Sequence, residues 1–229
     1  MAIYAIGDIH GCNKALKVLL QTIPKKEEDT FVFLGDYVNR GPKSKKVIKQ
    51  LIKFSEGHNC IFLRGNHDIL MMNARKSRAH FDVWMRSGGI FTLDSYKTEQ
   101  YSNWVEDVGE KHWNFLDSTK AYYKTDEFIF VHAGLEEGIK LSEQSVDSLF
   151  WDKFRFPKKY SDKRIVVCGH TARKNGYIAN FRHTICIDTG VAAKQWLSCL
   201  NLDTGEYYQA NQKRMTRTGS IKIHKALTI

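Results

Sequence analysis

Six short apolar runs, each stopping at glycine, aspartate or histidine, constrain this chain more than any other feature. Residues 3–6 stop at Gly7-Asp8-Ile9-His10-Gly11, and residues 31–34 stop at Gly35-Asp36-Tyr37-Val38-Asn39-Arg40-Gly41. Residues 60–63 lead through Arg64 into Gly65-Asn66-His67-Asp68. Further on, residues 128–131 precede His132-Ala133-Gly134, residues 165–168 precede Gly169-His170-Thr171, and residues 184–187 precede Asp188-Thr189-Gly190. Four-residue apolar runs bounded by turn formers read as buried strands. Between the first three, Leu16, Leu19, Leu20 and Ile23, then Val47, Ile48, Leu51 and Ile52, recur at helical spacing. Strand, helix, strand, helix, strand implies parallel βαβ units with right-handed crossovers.

Residues 69–120 carry no strand signal and are expected to form a helical insertion, with Met71, Met72, Trp84, Trp104 and Trp113 in its core. Residues 196–202 and 206–209 flank Asp203-Thr204-Gly205, a hairpin signal. One α/β domain is expected over residues 1–210. Residues 211–229 carry Lys213, Arg214, Arg217, Lys222 and Lys225 and no acid, and read as a basic, solvated tail of little catalytic importance. An edge strand at residues 220–224 is the alternative for that tail.

Open α/β sheets place their sites at the carboxyl ends of strands. Here those ends gather Asp, His and Asn, hard oxygen and imidazole donors without thiolate. Such a set suits manganese, iron or zinc better than calcium or copper(I). Two carboxylates with three imidazoles exceed what one catalytic ion takes, whereas two ions roughly 3.5–4 Å apart account for the number. The charge agrees: 35 basic against 25 acidic side chains leave +10, which favours anionic partners. The five cysteines are scattered without a CxxC pair, as in a reduced, cytoplasmic protein. No apolar run reaches the roughly 18 residues of a membrane span, and the first residues lack the basic start of a signal peptide.

The ordered set Gly-Asp-Ile-His-Gly, Gly-Asp-Tyr-Val-Asn-Arg-Gly, Gly-Asn-His-Asp, His-Ala-Gly, Gly-His-Thr resembles the phosphoprotein phosphatase family of metallophosphoesterases. It is most similar to the small bacterial and phage serine/threonine phosphatases and to the related symmetrical diadenosine tetraphosphatases. The resemblance implies an α/β sandwich of two packed mixed sheets flanked by helices, with two divalent metals at one end, manganese first and iron or zinc as alternatives. It implies Asp8 and His10 on the first metal, Asp36 bridging both, and Asn66, His132 and His170 completing the second. Arg40 would clamp phosphate oxygens, and His67 would protonate the leaving oxygen. Lys153 aligns with a further phosphate-binding arginine of the family, with Arg155 two residues on; Lys is a point charge without the bidentate fork of Arg.

Two positions depart from the protein-phosphatase pattern. Asn39 stands where that pattern has Asp, the carboxylate that accepts from the general-acid histidine. Asn39 is expected to accept through its carbonyl oxygen but to bring no negative charge, weakening His67 as an acid. Asp68 stands where protein phosphatases carry Glu, and Gly-Asn-His-Asp is more typical of the tetraphosphatases. The leading expectation is a phosphomonoesterase acting on phosphoserine or phosphothreonine proteins. The alternative is a symmetrical dinucleoside polyphosphate hydrolase. A non-catalytic basic module holding phosphate or RNA stands third, because every ligand position carries a competent residue. No membrane partner is expected, and the sequence leaves the oligomeric state open.

Overall fold

The computed structural model describes residues 1–161 and 163–225. Eleven strands form two sheets. Those of the first are β1 (Ile3–Ile6), β2 (Thr30–Phe33), β3 (Asn59–Phe62), β9 (Leu197–Asn201), β10 (Glu206–Ala210) and β11 (Thr216–Ser220). Those of the second are β4 (Tyr122–Lys124), β5 (Phe128–Val131), β6 (Ile165–Cys168), β7 (Ala179–Asn180) and β8 (Thr184–Cys186). The first sheet runs β11-β10-β9-β1-β2-β3 and the second β4-β5-β6-β8-β7. As expected, β1, β2 and β3 are parallel, joined through helices α1 (Asn13–Thr22) and α2 (Ser44–Ser55). The hairpin over Asp203-Thr204-Gly205 forms between β9 and β10.

Strand alternation builds the layers. On β2, Phe31 and Phe33 face the helices, where Leu16, Leu19, Val47 and Ile48 join them. Val32 and Leu34 face the other way, against Phe128, Phe130, Val167 and Ile185 of the second sheet. The strands are buried on both faces, which is why they read as continuous apolar runs. Outside the second sheet, Ile129, Val131 and Val166 pack on Leu149 and Phe150 of α8 (Val146–Phe150). The result is the two-sheet sandwich flanked by helices that the resemblance implies. No described helix is long and apolar enough to cross a membrane.

The insertion is helical: α3 (Asn66–Ala74), α4 (Arg78–Trp84), a π-turn at Met85–Gly89, α5 (Ile90–Tyr96), α6 (Trp104–Val108) and α7 (Glu110–Asp117). Met71, Trp84, Trp104 and Trp113 are buried there, and Met72 packs partly buried against them.

The C-terminal segment departs from expectation. Thr216–Ser220 is strand β11, paired antiparallel along all of β10, so this stretch is neither a solvated tail nor an edge strand at 220–224. The sequence hides it because Thr-Arg-Thr-Gly-Ser has no apolar side to alternate. An edge strand needs only backbone pairing on one side. Strands β4 and β7, of three and two residues, are too short for an alternating pattern to show. Residues 226–229 of the expected tail lie outside the described residues.

Candidate metal and phosphate site

Every expected ligand lies just past the carboxyl end of a strand. Asp8 and His10 follow β1, Asp36, Asn39 and Arg40 follow β2, and Asn66 opens α3 after β3. His132 follows β5, His170 follows β6 and Asp188 follows β8. The loops are too short to turn in extended backbone. His10, Asp36, Asn39, Arg40 and His170 therefore all adopt left-handed conformations, with φ between 45° and 68°. Non-glycine residues avoid that region unless their surroundings hold them there. Gly41 and Gly169 permit the approach: a Cβ on Gly41 would meet the His10 carbonyl at 1.9 Å, and one on Gly169 would meet Asp8 Oδ1 at 2.1 Å.

Three imidazoles are oriented by backbone carbonyls. His10 Nδ1 donates to Val38 O (2.9 Å), His132 Nδ1 to Leu34 O (2.8 Å), and His170 Nε2 to Trp151 O (2.9 Å). Each bond fixes a tautomer and leaves the opposite nitrogen as a lone pair facing the centre. Asn66 Oδ1 then lies 3.1 Å from both His132 Nε2 and His170 Nδ1. Asp36 Oδ2 lies 3.3 Å from His10 Nε2, and its Oδ1 lies 3.6 Å from His132 Nε2. Carboxylate, amide and imidazole ligand atoms thus converge, an arrangement that a cation would satisfy. The ligand atoms of Asp36, His132 and His170 lie within 4.8 Å of one another, as do those of His10, Asp36 and His67. Asp36 is common to both groups, the bridging place expected of it. Asp8 belongs to neither; its carboxylate accepts from the His170 N–H at 3.1 and 3.2 Å and contacts Asp188.

Burial sets the protonation of the bare site. It pushes Asp8 well above the ordinary carboxylate range, with Asp188 and Asp36 adding repulsion. Burial likewise raises Asp36, with Asp68 adding to it, and raises Asp188. The same desolvation lowers His10 to about 3 and His170 to about 4. The imidazoles are therefore already neutral, and the protons a divalent ion must displace sit on the carboxyls. A proton released on binding makes affinity rise with pH. Titrating manganese into the metal-free protein at pH 7, in buffers of different ionisation enthalpy, should show proton release. Binding without release would mean these carboxyls are already ionised.

Asn39 is placed where expected but turned the other way. Trp84 Nε1 donates to Asn39 Oδ1 (2.8 Å), and Thr92 Oγ1 donates to the same atom (3.0 Å). An indole N–H is a donor only, so the atom facing it must be the amide oxygen. The carbonyl expected to accept from His67 is thus occupied. Asn39 Nδ2 instead donates to His67 Nδ1 at 2.9 Å. On the far side of that ring, Arg40 Nη2 lies 2.7 Å from Nε2, while Nη1 lies 3.0 Å from His10 Nε2. Donors on both sides leave His67 no acceptor for a second proton. Burial, then His10 and Arg40, hold its pKa far below the ordinary imidazole range.

Asp68 ties these loops together. Its carboxylate accepts from the backbone N–H of Asp36 (2.8 Å), Tyr37 (3.0 Å) and Gly65 (2.9 Å). Burial pushes it up to about 6 despite those bonds. Lys153 and Arg155 are both exposed. Lys153 is near enough for its charge to act on His170 and Asp188, whereas the Arg155 guanidinium sits 5.6 Å from the ring centre of Phe156. Three partners escaped the sequence reading. Asp188 was visible as a strand-end carboxylate but had no assigned role. Trp84 and Thr92 carry no local signal, since only tertiary packing brings them to Asn39.

Residues 1–191 match the family described as Calcineurin-like phosphoesterase. A curated relative named symmetrical bis(5'-nucleosyl)-tetraphosphatase, from Delftia acidovorans, is 34% identical over 59% of this chain and 45% of its own length. The chain thus spans less than half the length of the curated relatives it matches. Among solved structures, a candidate diadenosine tetraphosphatase superposes with a TM-score of 0.65 at 18% identity, over 96% of this chain and 93% of its own. A protein serine/threonine phosphatase from Saccharomyces cerevisiae superposes with a TM-score of 0.57 at 16% identity, over 98% and 81%. At those identities the superpositions speak to fold, while the matched stretch of residues 1–191 contains every strand-end ligand described above. By motif, fold and family match, the chain belongs to the Calcineurin-like metallophosphoesterases.

Proposed function

We propose that this protein is a metal-dependent hydrolase of dinucleoside polyphosphates, cleaving diadenosine tetraphosphate symmetrically into two molecules of adenosine diphosphate. The observation that carries the reading is the polarity of the Asn39–His67 hydrogen bond. Expelling a serine or threonine alkoxide requires a proton on the leaving oxygen, and a well-placed general acid contributes about 10²–10⁴-fold. An imidazole that accepts at Nδ1 holds no more than one proton and gives it up reluctantly. A nucleoside diphosphate needs no such help, because its charge spreads over phosphate oxygens as it departs. The shared name of the curated relatives supports the same substrate class.

The residues divide the work. Asp8, His10 and Asp36 would hold one divalent ion, with manganese the choice for assays, and Asp36, Asn66, His132 and His170 the other. When bound, such ions supply positive charge that stabilises phosphoryl oxygens. Arg40 places its forked nitrogens 3.0 Å from His10 Nε2 and 2.7 Å from His67 Nε2 and would turn them to the phosphate under attack, bidentately. His67 orients the leaving oxygen through Nε2–H. Lys153 adds positive charge from the rim, and Arg155 at most reinforces it.

The test is a competition. Manganese-loaded protein is given equal amounts of a phosphoserine peptide and diadenosine tetraphosphate, and products are followed by phosphorus NMR. Adenosine diphosphate should appear first, without adenosine triphosphate. Inorganic phosphate released first from the peptide would make the protein a phosphomonoesterase. Absence of product from either substrate would remove the hydrolase reading.

A further inference from the structure

Two cavities meet at Arg40. One, of about 300 Å³, opens on the site itself and is lined by His10, Asp188, Phe91 and Ala192. The other, of about 450 Å³, runs away from the site past Pro42 and Val191 and ends at Lys194, Lys213 and Met215. Arg40, Val191 and Ala192 line both, so the second groove adjoins the cavity at the site. That volume suits a small organic ligand, since such pockets span roughly 300–1,000 Å³.

The groove is built. Its outer wall is the turn between β10 and β11, where Asn211 Oδ1 accepts from the N–H of Lys213 (3.0 Å) and of Met215 (3.1 Å). Arg214 between them is left-handed, at φ 67°. Gln212 of the same turn caps α1, its Oε1 accepting from the N–H of Lys14 and Ala15, both at 3.1 Å. No acidic residue lies in the first turn of α1, so this end adds no negative charge beside the groove. The opposite wall ends at Lys194, left-handed at φ 65° with its N–H on Val191 O. Among the described residues neither lysine pairs with a carboxylate. The chemistry is therefore two ammonium groups without a carboxylate partner, with half-exposed Met215 as an apolar surface.

We propose that this groove is the subsite for the departing half of the substrate. With Arg40 on the phosphate under attack, the terminal phosphate of the departing nucleoside diphosphate would lie just beyond it, Lys194 and Lys213 would hold the inner phosphate, and Met215 and Val191 would pack against the nucleoside. The assignment rests on the hydrolase reading above but concerns binding, and it is tested by binding. Manganese-loaded protein is titrated calorimetrically with adenosine diphosphate and, separately, with inorganic phosphate, for the wild type and for Lys194→Ala/Lys213→Ala. Two exposed charge-assisted contacts predict that the diphosphate dissociation constant rises about tenfold. Phosphate affinity and melting temperature should stay unchanged, because both lysines are exposed and unpaired. Unchanged diphosphate affinity would overturn the subsite. So would equal losses for both ligands, which mark a general field effect, or absence of diphosphate binding in the wild type. A wild type that fails to cleave diadenosine tetraphosphate, with the selective diphosphate loss still observed, would sink the substrate reading and leave the groove standing.

Discussion

Replacing Asp36 with Asn should lower hydrolysis of any phosphoester by up to about 10³-fold, the upper range for losing one preorganised electrostatic group. Among the described residues, Asp36 alone is common to both convergent groups of ligand atoms. Its Oδ1 also accepts from the His67 N–H at 2.9 Å, a bond that an amide oxygen preserves. The backbone should therefore stay in place while the charge disappears. In the metal-free protein the same change removes a buried carboxyl that Asp68 and Asp188 repel. A carboxyl whose pKa is raised in the fold costs stability above its unfolded-state pKa, whether it stays ionised or takes up a proton, and an amide removes that cost. The variant should accordingly melt higher than wild type without metal, and gain less than wild type when manganese is added. Steady-state turnover and a pair of melting curves check both halves. Near-normal turnover would remove Asp36 from the site.

Asn39→Asp should change substrate preference rather than overall rate. A carboxylate at position 39 can accept from Trp84, Thr92 and His67 together, so Nδ1 would carry a proton pointing at it. A neighbouring anion favours the imidazolium and raises the His67 pKa. Phosphoserine turnover should then rise about tenfold or more, part of the 10²–10⁴ available to a general acid. The gain should fade as pH rises and His67 loses its second proton. p-Nitrophenyl phosphate should respond less, and diadenosine tetraphosphate should change by no more than about threefold, because a phosphate leaving group needs little protonation. Equal gains across the three substrates, or none, would show that the hydrogen-bond polarity does not govern leaving-group preference.

The site was more legible than its surroundings. Each ligand sits one to four residues past a strand whose apolar run ends abruptly at the loop. Asp8, His10, Asp36, Asn66, His132 and His170 could be read in order for that reason. The parallel βαβ units, the helical insertion and the β9–β10 hairpin followed from the same periodicities. What stayed hidden depends on contacts between distant segments. Whether Asn39 presents oxygen or nitrogen to His67 is decided by Trp84, 45 residues away in sequence. Strand β11 is polar on both sides and shows itself only by pairing with β10. Its turn, within a stretch expected to be solvated and unimportant, supplies one wall of the groove beyond Arg40.

The left-handed backbone at His10, Asp36, Arg40 and His170 has a consequence for descent. Each such residue costs roughly 1–2 kcal/mol relative to a relaxed conformation, a cost that glycine largely avoids. In a copy of the gene released from selection on chemistry, exchanges to glycine at these positions would improve the fold. The site would erode first, and the sandwich would outlast it. Descendants of this chain that retain the two sheets but carry glycine at those positions should thus be read as scaffolds that have lost their original employment.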